Sequence, residues 1–189
     1  LLDSYRPISL TSVLSKLIEK IILRRIVMYF ESLAVDPLSN FQSGFRASRS
    51  TTDQLQVFFN FITRARQPGC FASAVCVDFS KAFDAVDHHI LISKMTAMGI
   101  PAYLVRWVNN WLVRRTLRVR TKQANHSEYR PVGAGVPQGS VLGPLLFIVY
   151  VNDLSSRLTS VGIRHGFFAD DLTIFAEGDE PQIRATLQL

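Results

Sequence analysis

Apolar positions recur every three or four residues from about Ser12 to Phe30, at Leu14, Leu17, Ile18, Ile21 and Ile22. Lys16, Glu19, Lys20 and Arg24 fall between them, so the spacing predicts an amphipathic helix with its charges in water. Ahead of it, Tyr5-Arg6-Pro7-Ile8-Ser9-Leu10 reads as extended, because proline biases its neighbour away from helix. Asp36-Pro37 breaks the chain, and a polar, basic loop runs from Asn40 to Ser50. A second helix, capped by Thr51 or Thr52, puts Leu55, Phe58, Phe59 and Ile62 on one face and ends at Gln67-Pro68-Gly69. The β-prone run Ala74-Val75-Cys76-Val77-Asp78-Phe79-Ser80 predicts a strand. Helical readings follow for Lys81 to Asp87, for Ile90 to Met98 (stopped by Gly99 and Pro101) and for Tyr103 to about Leu112. Residues 117–121 and 128–132 flank Asn125-His126 and predict a hairpin. Gly133 to Ser140 reads as a flexible loop feeding a long apolar helix. Strands and helices mix without βαβ alternation, which predicts the α+β class.

One place breaks the pattern. Asp170-Asp171 sits between Phe167-Phe168-Ala169 and Leu172-Thr173-Ile174-Phe175, where an apolar run would exclude charge. Successive strand residues face opposite ways, so two aspartates converge on one object only if the chain bends. A strand, a tight turn and a return strand satisfy this, with divalent cations balancing the charge; hard carboxylate oxygens suit magnesium. An exposed acidic turn is the alternative for the doublet alone. Asp78, near the end of another apolar strand, is a second acidic island. Brought beside the doublet by the fold, it would complete a three-carboxylate site for two metal ions and phosphoryl transfer. By itself, Asp78 reads equally well as a helix N-cap.

A chain of 189 residues with 48% hydrophobic content suits one domain, or one with a small second lobe. Net charge is +6 and arginine dominates the basic residues, which points to a polyanionic partner. The two cysteines, Cys70 and Cys76, lack metal-site spacing, and the strand is expected to bury Cys76. Val141 to Val151 is the most apolar run, too short for a membrane span and interrupted by Pro144, so no membrane partner is expected. Leu1 in first place and the unfinished amphipathic stretch from Glu180 to Leu189 read as a piece of a longer protein.

Several other residues admit two readings. The Gly135–Ser140 loop lacks the lysine and following hydroxyl of a phosphate-binding P-loop. Gly139 with Gln138 can hold a base pair or sugar, or form an ordinary connector. Arg46 and Arg49 can clamp a phosphate chain or decorate a basic loop. Arg114, Arg115, Arg118, Arg120 and Lys122 can track a template backbone or form a solvated face. His88-His89 reads as polar surface sooner than as metal ligands, and Trp107 with Trp111 as core sooner than as a base-stacking platform.

Four segments, in order, resemble the conserved blocks of reverse transcriptases: Asn40 to Thr52 (NFQSGFRASRSTT), Val77 to Asp87 (VDFSKAFDAVD), Gly135 to Asp153 (GVPQGSVLGPLLFIVYVND) and Phe168 to Asp171 (FADD). Tyr5 to Leu10 (YRPISL) and its helix match as well, and the likeness is to polymerases of non-LTR, LINE-type retrotransposons. The resemblance implies a right-hand polymerase with residues 1–69 fingers-like, 70–189 palm, and the thumb absent. It implies that Asp78, Asp170, Asp171 and the Phe79 carbonyl bind two magnesium ions, with manganese able to substitute. One ion would activate a primer 3′-hydroxyl and the other would hold the triphosphate. Arg46, with Arg49 as a second candidate, would meet the triphosphate. Gln138 and Gly139 would line the nascent base pair, and Phe83 would exclude a ribose 2′-hydroxyl, unless it is simply a core aromatic.

Implied partners are an RNA template, a DNA primer and deoxynucleoside triphosphates, with a thumb and possible endonuclease modules elsewhere in the parent. Location would be intracellular, and nuclear by resemblance only. Two departures stand out: Phe168 replaces the commoner tyrosine, and the later palm lysine and the thumb have no counterpart. The fragment alone is therefore expected to be weakly active or inactive. A catalytically inactive nucleic-acid-binding relic is the alternative, and a metal-dependent phosphohydrolase a distant third.

Overall fold

The computed structural model describes residues 8–64, 71–120 and 126–187. The first helix, α1 (Val13–Glu31), begins where expected, with the Ser12 side chain accepting from Ser15 N–H at 3.1 Å. Its buried stripe is not the one expected. Glu19, Ile22, Ile26 and Phe30 are buried, while Leu14, Leu17, Ile18 and Ile21 are exposed. The cause is Glu19: its carboxylate accepts from Val141 N–H (2.7 Å) and Leu142 N–H (3.3 Å), and from the Ser15 hydroxyl (2.9 Å). These bonds turn the helix by the Glu19 face, and hydropathy counting has no way to register them.

Helix α2 (Thr51–Arg64) starts one residue before the expected caps act. Asp53 reaches back to the Ser50 N–H (2.6 Å) and hydroxyl (3.0 Å), and these bonds hold its carboxyl below the ordinary value. Phe58 and Phe61, 6.2 and 5.0 Å from the Phe175 ring, face the sheet; Leu55, Phe59 and Ile62 are exposed, contrary to expectation. The expected stop at Gln67-Pro68-Gly69 lies outside the described residues.

Strand β1 (Phe71–Asp78) follows. Cys76 on it is exposed rather than buried, because β1 is an edge strand whose residues are mostly uncovered. The expected helix from Lys81 to Asp87 is instead a turn, with Lys81 at φ 52° and its carbonyl taking the Asp84 and Ala85 N–H groups. Asp87 then caps α3 (His88–Ala97) through Ile90 N–H, a bond that holds its carboxyl below the ordinary value. Helix α4 (Ala102–Val113) buries Leu104, Val105, Val108 and Leu112. Short strands β2 (Thr116–Leu117) and β3 (Arg130–Pro131) pair antiparallel, with a further bridge between Arg120 and His126; Lys122 and Asn125 lie outside the described residues.

Helix α5 (Gly143–Ser160) has Pro144 in its first turn, where a missing N–H is harmless. It is the expected long apolar helix, with Leu145 to Val149 buried. Strand β4 (Arg164–Phe168), strand β5 (Asp171–Gly178) and helix α6 (Glu180–Leu187) complete an α+β fold. The main sheet is antiparallel in the order β1-β5-β4.

The chain divides into two compact units, one of Leu1–Pro37 and Lys81–Tyr150, the other of Leu38–Ser80 and Val151–Leu189. The first has α1, α3, α4, the small hairpin and the start of α5. The second has α2, the three-stranded sheet, the end of α5 and α6. Among the described residues no helix is long and apolar enough to cross a membrane.

Candidate functional site: three aspartates at one end of the sheet

Strands β4 and β5 form a hairpin in which Phe168 pairs with Asp171, leaving Ala169 and Asp170 as the loop. Ala169 adopts φ 58°, the left-handed region that such tight loops use to match strand twist. The doublet thus lies at a turn between two strands, as the pattern required.

The other neighbour of β5 is β1, paired in a register that runs from Phe71 opposite Gly178 to Asp78 opposite Asp171. Directly opposed residues of an antiparallel pair share a face, with Cβ atoms about 4.5–5.5 Å apart. Two like charges in that position oppose each other, and a cation between them removes the penalty. Asp78 and Asp171 are exposed and Asp170 is half-buried, so all three carboxylates lie within reach of solvent or a ligand. The register brings these distant parts of the chain together.

Carboxylate oxygens are hard donors, the chemistry that suits magnesium or manganese. Among the described residues no three His, Cys, Asp or Glu side chains stand close enough to enclose one. Phe79 follows directly, half-buried, after the end of β1.

The loop carrying Arg46 and Arg49 belongs to the same unit and is tied to the hairpin. Ser43 N–H donates to Phe167 O (2.9 Å) and Phe167 N–H to Phe41 O (2.8 Å), giving a parallel bridge between Gln42 and Phe167. Arg46 donates to Ser39 O (2.6 Å), and Arg49 to Asn40 O (2.6 Å) and its side-chain oxygen (3.0 Å). In the same unit His165 is buried, with Nδ1 donating to Ile163 O (2.9 Å) and Nε2 accepting from Ser155 (2.7 Å). Ser155 meets Ser39 at 2.6 Å, and Ser39 N–H donates to Asn152 (2.8 Å). The loop is therefore anchored to α5 and β4.

In the other unit, the glycine-rich loop is held rather than flexible. Gly135 N–H donates to Val86 O and Val136 N–H to Phe83 O, each at 2.8 Å. His88, expected at the surface, is buried and pins Gly135 O through Nε2 (2.9 Å), while its neighbour His89 is exposed. Gln138 is half-buried and its carbonyl accepts from Ser9 N–H (2.8 Å). Gly139 is exposed at φ 100°, a conformation that side chains rarely adopt. The Phe83 ring stacks on Phe147, with centroids 4.7 Å apart and planes at 20°.

Trp107 and Trp111 are half-buried and stacked (6.1 Å, 16°), with Arg115 over Trp111 at 4.9 Å. Burial lowers the Arg115 guanidinium below its ordinary value, and Glu19 opposes that shift. Glu19 and His88, expected to face solvent, and Gln42, given no role of its own, are polar residues that the structure buries. Each is buried against backbone groups far along the chain, which leaves no local signal.

The family described as reverse transcriptase (RNA-dependent DNA polymerase) matches residues 2–189. The chain is 38% identical over 156 residues to the RNA-directed DNA polymerase from mobile element jockey of Drosophila melanogaster, an alignment covering 82% of the chain and 16% of that protein. It is 40% identical over 152 residues to the probable RNA-directed DNA polymerase from transposon BS of the same organism, covering 80% of the chain and 16% of the relative. The chain thus spans about a sixth of the length of these relatives. In fold it is similar to telomerase from Candida albicans in complex with a telomeric RNA fragment, with TM-score 0.60 at 13% identity over 93% of the chain and 32% of that structure. The chain belongs to the reverse transcriptase family, among the polymerases of non-LTR, LINE-type retrotransposons.

Proposed function

We propose that this chain is the nucleotide-adding core of an RNA-templated DNA polymerase. The observation that carries the proposal is the register placing Asp78 opposite Asp171, one residue from Asp170 at the hairpin turn. In this reading Asp78, Asp170, Asp171 and the Phe79 carbonyl hold two magnesium ions, or manganese in their place. Bound there, the ions lower the cost of ionising a primer 3′-hydroxyl and of releasing pyrophosphate. The rest of the work is positioning and charge placement by the chain itself. Arg46 and Arg49 take the triphosphate, from a loop braced on the carboxylate hairpin. Gln138 and Gly139 support the nascent base pair, and the Phe83 ring disfavours a ribose 2′-hydroxyl.

Residues 1–69 serve as fingers and 70–189 as palm. Partners are an RNA template, a DNA primer and deoxynucleoside triphosphates, with the thumb and any endonuclease supplied by other parts of the polymerase. In this reading the reaction is intracellular, and nuclear on resemblance alone.

The test is primer extension on an RNA template with magnesium, using the polymerase that carries this chain. Asp170→Asn is expected to lower extension by roughly a thousandfold or more, with RNA binding changed less than about twofold. Normal copying of RNA by the double variant Asp170→Asn/Asp171→Asn would show the assignment to be wrong.

A further inference from the structure

Gln42 touches the turn that presents the doublet, and among the described residues its side chain bonds to backbone alone. It is buried, with 4% exposure. Its Oε1 accepts from Ala169 N–H (3.0 Å) and Gly44 N–H (2.8 Å), and its Nε2 donates to Ala169 O (3.2 Å). The partners fix the amide's orientation, since a flipped amide would set NH2 against two N–H groups. A single side chain therefore grips both polar backbone groups of Ala169.

Ala169 is the residue that needs gripping. Its φ of 58° is unfavourable for any side chain larger than glycine, and hairpin loops of two residues favour glycine, asparagine or aspartate there. The residue immediately following is Asp170. Gly44 permits the approach: a Cβ at that position would lie 2.7 Å from Ala169 Cα. The parallel bridge between Gln42 and Phe167 sets the segment's height along β4, so that the amide reaches Ala169.

We propose that Gln42 is a positioning residue for the metal-binding carboxylates: its amide locks the left-handed turn at Ala169 and so sets where Asp170 and Asp171 point. This rests on the reading of Asp170 and Asp171 as metal ligands. Gln42 itself touches no substrate, because its amide is committed to the turn. A loss of Gln42 leaves alanine in an unsupported conformation, and the turn relaxes away from the geometry that two carboxylates need to share one ion.

The test measures Mn2+ affinity by electron paramagnetic resonance in the polymerase that carries this chain, counting only sites abolished by Asp170→Asn. Gln42→Leu is expected to weaken these sites about fivefold or more, the scale of a left-handed alanine's strain. Adding Ala169→Gly, which adopts the turn without support, is expected to restore affinity to within about twofold of the parent. A merely structural glutamine would not be rescued at that position. Gln42→Met matches in length and removes the accepted and donated bonds without adding charge. It is expected to show a similar loss, also relieved by Ala169→Gly, and it serves if Gln42→Leu does not fold. Unchanged Mn2+ affinity in both Gln42 variants, or a loss that Ala169→Gly leaves in place, overturns the proposal. Mn2+ binding that survives Asp170→Asn undiminished overturns the metal reading and this proposal with it.

Discussion

Phe83 is fixed by its stack on Phe147 and by the Val136 N–H bonded to its carbonyl, so its ring has one place to be. A rigid ring rejects an added hydroxyl by collision. Phe83→Ala in the polymerase is expected to lower the preference for deoxynucleotides over ribonucleotides by about tenfold to a hundredfold, read from single-nucleotide incorporation. Unchanged sugar selectivity would leave Phe83 with a packing role alone. At this scale the three aspartates were legible, because carboxylates inside apolar, β-prone runs contradict their surroundings. Gln42 and His88 were not. A buried amide or imidazole satisfied by remote backbone looks, in sequence, like any polar residue in a loop or at a helix start.

Helices were legible as elements, and less so in their facing. The period placed α1, α3 and α4 within a residue or two, α5 follows the glycine-rich loop as expected and runs on to Ser160, and Ser12, Gly99 and Pro101 mark ends where capping and stop signals belong. The apolar face of α1 was misread because its decisive residue is charged. Glu19 satisfies two N–H groups ahead of α5, where a carboxylate also meets the positive end of the helix dipole. Glu19→Ala is expected to destabilise the chain by about 2–3 kcal/mol, the cost of leaving buried N–H groups unpartnered. Urea unfolding measures this, and a loss under ~0.5 kcal/mol would mean that water replaces the carboxylate there. The α2 face shifted for a related reason: aromatic packing of Phe58 and Phe61 on Phe175 outweighs the number of apolar residues per face. Strand β1 kept its place in the sequence but lost its burial, since an edge strand's cover depends on neighbours that no local pattern specifies.

For the whole molecule, order of motifs carried the most information, because the sheet that joins them is non-local. Strand order β1-β5-β4 places the first acidic strand against the last, a pairing that local propensity could not supply. The excess positive charge of +6 agrees with a nucleic-acid partner and would accompany many others, so the carboxylate geometry bears the argument. That geometry is open to direct reading by replacing magnesium with Fe2+ and mapping where hydroxyl radicals generated at the bound iron cut the backbone. In the polymerase that carries this chain, cuts are expected both beside Asp78 and beside Asp170-Asp171, and excess magnesium should suppress the two sets together. Cutting at only one of these places, or cutting that magnesium does not suppress, would contradict a shared metal site.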